Sequence, residues 1–153
     1  MIEEGKKAPD FEGINQNGEK IKLSDFKGKK LVLYFYPKDN TAGCNAEACN
    51  LRDNYDEFLN LGYEIIGVSP DTEKAHQKFI EKFDLPFNLI ADTEKEILQK
   101  YDVWGEKKMY GRTYMGVMRT TFLIDEKGIV EKVIKKVKTK QHSEQIFSEL
   151  ELK

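Results

Sequence analysis

The chain has 153 residues, of which 39% are hydrophobic and 34% are charged. This length and composition are typical of a single folded domain, which we expect to span residues 1–153, and they exclude a disordered chain. Lys and Arg total 25 and Asp and Glu total 27, so the net charge of -2 offers no broad field that would bind nucleic acid or an anionic membrane.

The N-terminal residues and the cysteine count bear on the cellular compartment. Residues 1–7 contain acidic side chains before any apolar run, and no stretch approaches the roughly 18 apolar residues of a membrane span. Two cysteines are too few to stabilise a secreted domain of this size. We therefore expect a cytoplasmic protein without membrane contact, whose cysteines stay reduced unless chemistry cycles them.

The first half of the chain predicts a hairpin, a buried strand and a helix. Asn17-Gly18 favours a tight turn between two short extended pieces within residues 14–23. Residues 31–36 are continuously apolar or aromatic, which is typical of a central strand buried on both faces. Apolar residues then recur at helical spacing up to Gly62 and predict a helix that begins near Cys44; they are Ala48, Leu51, Tyr55, Phe58 and Leu59.

The rest of the chain alternates extended and helical patterns. We expect, in chain order, a strand at 63–68, a helix around Ala75, Phe79 and Phe83, a strand at 87–90, a short helix around 97–101, strands at 119–124 and 129–137 about a turn at 125–128, and a helix capped by Ser143. Residues 105–118 are expected to form a surface loop, and the lysines between 132 and 140 to line an edge strand. This order predicts an α/β fold with a central sheet flanked by helices on both faces.

Cys44 lies where the central strand gives way to the next helix. A thiol attacks only as a thiolate, and a free cysteine is mostly protonated at neutral pH. The unpaired N–H groups and the positive dipole end in a first helical turn favour the anion, and a nearby arginine adds to this effect. Arg119, at the start of a neighbouring strand, is our first candidate for that cation, and Arg52 on the helix is the second.

Thr41 and Pro37 supply further parts of a reactive site. Thr41 is three residues before Cys44, so its hydroxyl can share a face with the sulfur and hydrogen-bond a thiolate or a peroxide oxygen. Pro37 removes an N–H donor and stiffens the approach to the helix, which helps to wall a pocket. A nucleophile, anion stabilisation and a site for a leaving hydroxide are the minimum needed to cleave an O–O bond.

Cys49 follows Cys44 by five residues, which is about 7.5 Å along an intact helix. A disulfide requires the two Cα atoms to lie within roughly 7 Å of each other. If Cys44 becomes a sulfenic acid that condenses with Cys49, the first turn of the helix must therefore unwind.

Other interpretations of the cysteine pair fit the sequence less well. In an arbitrary amphipathic helix the two cysteines would be small packing residues. A metal site would need further ligands, but His76 and His142 lie in separate helical segments without ligand-like spacing, and we expect both on the surface. The spacing also differs from the Cys-x-x-Cys of dithiol oxidoreductases, which disfavours a disulfide reductase.

The segment that leads into Cys44 also resembles a known family. Pro37-x-x-x-Thr41-x-x-Cys44 matches the active-site pattern of the peroxiredoxins, and residues 36–49 look like the bacterioferritin comigratory protein, or PrxQ, subfamily. The likeness covers nearly the whole chain; its other segments are residues 8–11, 67–71, 105–108 and 119–125. Ala42 departs from the pattern, because the subfamily usually has a proline just before Gly43.

This resemblance implies a fold and an activity. The fold would be thioredoxin-like, with a central mixed sheet and an N-terminal hairpin. The activity would be reduction of hydrogen peroxide and organic hydroperoxides, with recycling by thioredoxin, no metal or organic cofactor, and a monomeric chain. By position, Cys44 would be the peroxidatic cysteine and Cys49 the resolving one.

The resemblance also implies roles for the neighbouring residues. Thr41 and Arg119 would orient and activate the thiolate, and Pro37 would shield it. Glu47 would hold an arginine rather than touch the thiolate, because a bare carboxylate beside a thiolate disfavours the anion. Ala42 removes no reactive group, but it leaves the loop less tightly organised than a proline would.

A second class of function begins with the same sulfenic acid. A redox sensor or relay would pass the oxidation of Cys44 to a partner protein instead of destroying the oxidant. Catalytic turnover with a thioredoxin system distinguishes the enzyme from the relay.

Overall fold

A mixed five-stranded sheet forms the centre of the computed structural model, which describes residues 2–151. Met1, Leu152 and Lys153, which we included in the expected domain, lie outside the described residues. In chain order the elements are β1 Glu12–Ile14, β2 Lys20–Lys22, a 3-10 turn Leu23–Phe26, β3 Lys30–Phe35, α1 Ala42–Asp53, α2 Tyr55–Asn60, β4 Tyr63–Ser69, α3 Glu73–Phe83, β5 Asn88–Ala91, α4 Glu96–Lys100, β6 Trp104–Met109, β7 Arg112–Val117, β8 Thr120–Ile124, β9 Val130–Ile134, a 3-10 turn Thr139–Gln141 and α5 His142–Glu151.

The central sheet has the strand order β5-β4-β3-β8-β9. Strand β3 pairs in parallel with β4 and antiparallel with β8, so parallel and antiparallel ladders meet at the middle strand. Strand β9 pairs antiparallel with β8 and forms one edge. The predicted mixed α/β architecture, the central position of β3, the hairpin of β8 and β9, and the edge position of β9 are all confirmed.

Strand β3 separates two hydrophobic cores, because successive side chains of a strand point to opposite faces. Leu31, Leu33 and Phe35 face a core that is completed by α4 and the N-terminal segment. Val32 and Tyr34 face the other core, to which α1, α2, α3 and α5 contribute. Cys44 belongs to this second core, so helices on that face enclose the cysteine.

The N-terminal hairpin is confirmed, although its turn is wider than expected. Strands β1 and β2 pair antiparallel, and Ile14 and Lys20 form the pair next to the turn. Residues 15–19 are therefore the loop. The side-chain oxygen of Asn15 accepts hydrogen bonds from the backbone N–H groups of Asn17 and Glu19. Asn15 therefore organises the loop around Gly18, which has a positive φ of 75°.

The predicted single helix that begins near Cys44 is two helices. α1 ends at Asp53 and α2 begins at Tyr55, with Asn54 at the junction. The apolar pattern does not continue unchanged across the junction: Phe58 is fully buried, whereas Leu59 is 43% exposed. Apolar spacing across a break therefore predicted the wrong face for Leu59.

Residues 105–118 form most of the β6–β7 hairpin, so the prediction of a surface loop is wrong. Tyr110 and Gly111 make the turn, and both have positive φ, at 52° and 76°. This conformation gives a two-residue turn that matches the twist of the strands. Tyrosine seldom adopts a positive φ, which is why no clear turn signal is visible in the sequence at this point.

Ser143 does not cap α5, because the helix begins at His142 and continues from a 3-10 turn. The Ser143 hydroxyl donates instead to the backbone carbonyl of Asn50, and its N–H donates to the Asn50 side chain. These bonds join the start of α5 to the middle of α1. Within residues 2–151, no helix has the length and apolar character needed to cross a membrane.

Gly67 of β4 should tolerate no side chain, because β4 packs closely there. A methyl group at this position would lie 2.7 Å from a Leu89 methyl carbon and 2.9 Å from the Tyr34 ring. We expect Gly67→Ala to lower the free energy of unfolding by about 1–3 kcal/mol, measured by urea denaturation. Gly105→Ala is the matched control, since the new methyl would meet only Met118 at 3.4 Å. Equal stability of the two variants would contradict this packing.

Candidate active site

Cys44 occupies the first turn of α1, at the end of the segment that follows β3. Thr41 is the N-cap residue in an extended conformation, and its carbonyl accepts the first helical hydrogen bond from Asn45 at 2.7 Å. The N–H groups of a first turn have no partners within the helix and carry the positive end of its dipole. The Cys44 sulfur thus lies where the backbone favours an anion, although the residue is only 1% exposed.

Arg119 contacts this sulfur directly. Its Nη2 atom lies 3.3 Å from the Cys44 Sγ atom, within hydrogen-bond distance for sulfur. Arg119 immediately precedes β8. Because Thr120 of β8 pairs with Phe35, the last residue of β3, Arg119 lies at the end of the sheet where the chain leaves β3 toward α1. A Cβ atom on Gly43 would lie 3.2 Å from Nη2, so glycine leaves space for the guanidinium.

Glu47 binds the other arm of the same guanidinium. Arg119 Nη1 donates to Glu47 Oε1 at 2.7 Å, the contact expected from the sequence. Glu47 is one helical turn after Cys44, so the carboxylate and the sulfur share a face of α1. Burial lowers the pKa of Arg119, but Glu47 and Cys44 raise it by more, and the net shift is upward. Arg119 therefore remains charged between the two groups.

The other residues that the sequence suggested for the site make no hydrogen bond with the Cys44 sulfur among the described contacts. The Thr41 hydroxyl donates to the Lys38 carbonyl at 2.8 Å, so its only proton is used away from the sulfur, unlike the expected contact. Arg52, our second candidate cation, donates to the Phe83 carbonyl at 2.7 Å and pairs with Asp53. Pro37 is half-buried at the start of the segment that joins β3 to α1.

Cys49 lies on the same continuous helix as Cys44, and both thiols are free. Cys44 is buried, whereas Cys49 is partly exposed. Five residues of intact helix separate their Cα atoms by more than the roughly 7 Å that a disulfide permits. In this conformation of α1 the two sulfurs cannot form a bond.

Both histidines are fully buried, so the prediction that they lie on the surface is wrong. His76 shares a helical face with Phe79 and Phe83, and His142 shares one with Ile146. The same helical spacing that identified those apolar residues places the histidines on the buried face. This periodicity in the sequence could therefore have predicted that both histidines are buried.

His142 lies near Glu47 Oε2, whereas Arg119 binds Glu47 Oε1. Its Nε2 atom is 2.8 Å from the Thr121 hydroxyl and 3.5 Å from Glu47 Oε2. Burial raises the pKa of Glu47 to about 7, although Arg119 opposes this shift. Burial lowers the pKa of His142 to about 4; the hydrogen bond with Gln145 opposes this shift, and the charge of Arg119 adds to it.

His76 fixes the segment that leads to Cys44. Its Nδ1 atom is 2.6 Å from Asp39, which also accepts a hydrogen bond from the Tyr36 hydroxyl at 2.6 Å. Asp39, Asp71 and His76 have ligand atoms within 4.8 Å of one another, a spacing that could hold a metal ion. Hydrogen bonds within the protein already engage these atoms, since Asp71 accepts from Ser69 and from the Asp39 N–H.

Known proteins resemble this chain over most of its length. The AhpC/TSA family model matches residues 4–133. Peroxiredoxin Bcp of Bacillus subtilis is 53% identical over 141 residues, which cover 92% of this chain and 90% of that protein. Peroxiredoxin Bcp of Escherichia coli is 40% identical over 147 residues, which cover 96% of this chain and 94% of that protein.

Solved structures show the same similarity. Peroxiredoxin Q of Xanthomonas campestris has a TM-score of 0.86 and 34% identity, covering 93% of this chain and 90% of that one. PrxQ of Xylella fastidiosa has a TM-score of 0.92 and 29% identity, covering 99% and 97%. The chain therefore belongs to the AhpC/TSA family and, within it, to the Bcp or PrxQ group of peroxiredoxins. It is a peroxidase of the oxidoreductase class, and the thioredoxin-like fold implied by the sequence is confirmed.

Glu47→Gln should change how stability depends on pH. A carboxyl whose pKa rises from 4.5 to about 7 on folding stabilises the protein below pH 4.5 and loses that contribution as pH rises to about 7. The amide that replaces the carboxyl does not titrate, yet its oxygen can still accept from Arg119. Relative to wild type, the variant should therefore gain about 3 kcal/mol of unfolding free energy between about pH 4.5 and pH 7.

Urea denaturation of the reduced proteins at several pH values measures this difference. Glu57→Gln is the matched control, because Glu57 is an exposed acid on α2 and its loss should leave the pH dependence of wild type. If the difference in unfolding free energy between Glu47→Gln and wild type stayed constant across this pH range, the pKa of Glu47 would not be raised by folding.

Proposed function

We propose that this chain reduces hydrogen peroxide and organic hydroperoxides with Cys44 as the peroxidatic cysteine. The observation that carries the proposal is the contact of the Cys44 sulfur with the Arg119 guanidinium, at 3.3 Å, in the first turn of α1. The cation and the helix N-terminus both favour the thiolate that attacks a peroxide. The Arg119 side chain is 22% exposed, so a peroxide that hydrogen-bonds to it approaches from solvent.

The reaction has two bond-forming steps. In the first, the Cys44 thiolate attacks one peroxide oxygen, an S–O bond forms, and the O–O bond breaks. The leaving oxygen takes a proton and departs as water or an alcohol, and cysteine is oxidised to sulfenic acid. Arg119 stabilises the negative charge that develops on the peroxide oxygens.

In the second step Cys49 acts as the resolving cysteine. Its thiol attacks the Cys44 sulfenic sulfur, the S–S bond forms, and water leaves. A dithiol reductant then restores both thiols, and we propose thioredoxin for this role. Thr41 orients the peroxide together with Arg119, after its hydroxyl turns from the Lys38 carbonyl, and Pro37 shields the sulfur.

A relative supports the choice of substrate. The solved structure of the Xanthomonas campestris bacterioferritin comigratory protein, 34% identical to this chain, is described in terms of its alkyl peroxide reduction activity. We transfer this substrate class to the present chain, together with the monomeric state that the sequence resemblance implies. The cytoplasmic location that we expect from the low number of cysteines is part of the same proposal.

Serine variants separate the two cysteine roles. Cys44→Ser should abolish peroxide-dependent oxidation of thioredoxin, because a hydroxyl does not replace the nucleophilic thiolate. Cys49→Ser should retain the first oxidation but turn over only with an added small thiol. Coupled NADPH consumption and mass spectrometry of the Cys44 sulfenic acid measure these steps. Full turnover by Cys44→Ser would refute the proposal, whereas oxidation without turnover in wild type would favour a relay.

Disulfide formation should unwind the start of α1. The reduced helix keeps Cys44 and Cys49 too far apart for a bond, so the oxidised form must release its first turn or more. Amide hydrogen exchange should rise at residues 42–50 on oxidation, while β3 keeps its protection. Cys49→Ser treated with peroxide is the control, since it oxidises without the disulfide. Equal protection of α1 in the disulfide form would contradict the prediction.

A further inference from the structure

The buried contact between His142 and Glu47 lies outside the peroxide site but touches its cation. His142 is the first residue of α5 and is fully buried. Its Nε2 atom is 3.5 Å from Glu47 Oε2, while Glu47 Oε1 holds Arg119 at 2.7 Å. Oε2 is buried and has no hydrogen-bond donor among the described residues.

The surrounding hydrogen bonds define which nitrogen of His142 carries a proton. His142 Nδ1 is 3.0 Å from Gln145 Oε1, which also accepts from the Lys138 N–H. The Gln145 amide nitrogen donates to the Lys136 carbonyl, so the orientation of the amide is fixed. Nδ1 must therefore be the donor, and in a neutral ring Nε2 accepts from the Thr121 hydroxyl.

With His142 neutral and Glu47 ionised, no proton lies between the two groups: Oε2 is 3.5 Å from Nε2 and has no donor within residues 2–151, and the single lone pair of Nε2 is engaged by the Thr121 hydroxyl. One proton on Glu47 makes the contact attractive, because the carboxyl can donate it to Nε2 when the Thr121 hydroxyl turns away from that nitrogen. The raised pKa of Glu47, about 7, and the buried position of both groups agree with a proton held at this point.

We propose that His142 is a positioning residue that shares one proton with Glu47 and thereby sets how much of the Arg119 charge is available to the Cys44 thiolate. The inference deepens the proposed peroxidase function and rests on it for its catalytic meaning. His142 itself does not touch the peroxide.

The electrostatics of the enclosed cluster explain the effect. A Cys44 thiolate, the Arg119 cation and a Glu47–His142 pair that holds one proton together carry no net charge. Without that proton the cluster carries one excess negative charge, which burial penalises. Ionisation of Cys44 therefore favours proton uptake by the pair, and loss of the proton disfavours the thiolate.

The other groups that face the pair leave this balance unchanged. From β3, Tyr34 is a buried phenol whose pKa burial and the nearby acids raise well above its ordinary value, so it stays neutral. Thr121 on β8 and Gln145 on α5 do not titrate. Lys140, in the 3-10 turn before α5, is exposed.

His142→Gln tests the proposal through the pH profile of Cys44. The glutamine amide can donate permanently to Glu47, which keeps the carboxylate ionised and paired with Arg119. We expect the second-order rate constant for Cys44 oxidation by hydrogen peroxide to fall roughly three- to tenfold near pH 6–7. We also expect the coupled, two-step pH profile of wild type to become a single step.

Two further variants identify the route of the effect. Ser143→Ala removes a neighbouring buried hydrogen bond, to the Asn50 carbonyl, and should lower stability but keep the wild-type pH profile. In a Glu47→Gln background, His142→Gln should have no further effect on the profile. A His142→Gln profile equal to that of wild type, or an undiminished effect in the Glu47→Gln background, would overturn the proposal.

A readout without peroxide distinguishes this inference from the proposed function. Nitrogen NMR of the His142 ring follows the shared proton in the reduced protein. In Cys44→Ser no thiolate forms, so the pair should lose its proton at a lower pH than in wild type. An identical titration of His142 in the two proteins would refute the coupling, even if peroxidase activity were normal. Loss of activity with the coupling intact would instead refute the proposed function.

Discussion

The division of one guanidinium between a sulfur and a carboxylate is the contact on which the site depends. Arg119 reaches Cys44 with Nη2 at 3.3 Å and Glu47 with Nη1 at 2.7 Å. The carboxylate holds the cation in position, but it also neutralises part of the charge that would favour a thiolate. In the proposed mechanism, the reactivity of Cys44 therefore depends on how the charge of Arg119 is divided between Cys44 and Glu47, and protonation of Glu47 changes that division.

The fold brings these groups together from distant parts of the chain. Cys44 and Arg119 are separated by 75 positions in sequence. They meet because β3 and β8 are antiparallel neighbours in the sheet. The segment that leaves β3 toward α1 and the segment that enters β8 therefore lie at the same end of these two strands. Gly43 then allows the guanidinium to approach the first turn of the helix. A helix N-terminus and a cation act on the same sulfur as a result.

The same helix has two incompatible tasks in the proposed cycle. The intact first turn of α1 presents the N–H groups that favour a thiolate, whereas a bond between Cys44 and Cys49 requires that turn to open. The start of α5 stabilises the closed form, since Ser143 makes two hydrogen bonds with Asn50 of α1. In the proposed cycle, a stronger α1–α5 contact would slow the opening of α1 that disulfide formation requires.

The sequence by itself determined the strands of the central sheet and most of the helices around them, the position of Cys44 at a helix start, and the family. These features follow from local periodicity and from a short motif, both of which constrain the backbone over a few residues. Only the tertiary structure decided that residues 105–118 form a hairpin and that His76 and His142 are buried with polar partners. The physical reason is that a polar side chain enters a core only when hydrogen-bonding groups meet it there, and for His142 those groups come from separate elements of the chain.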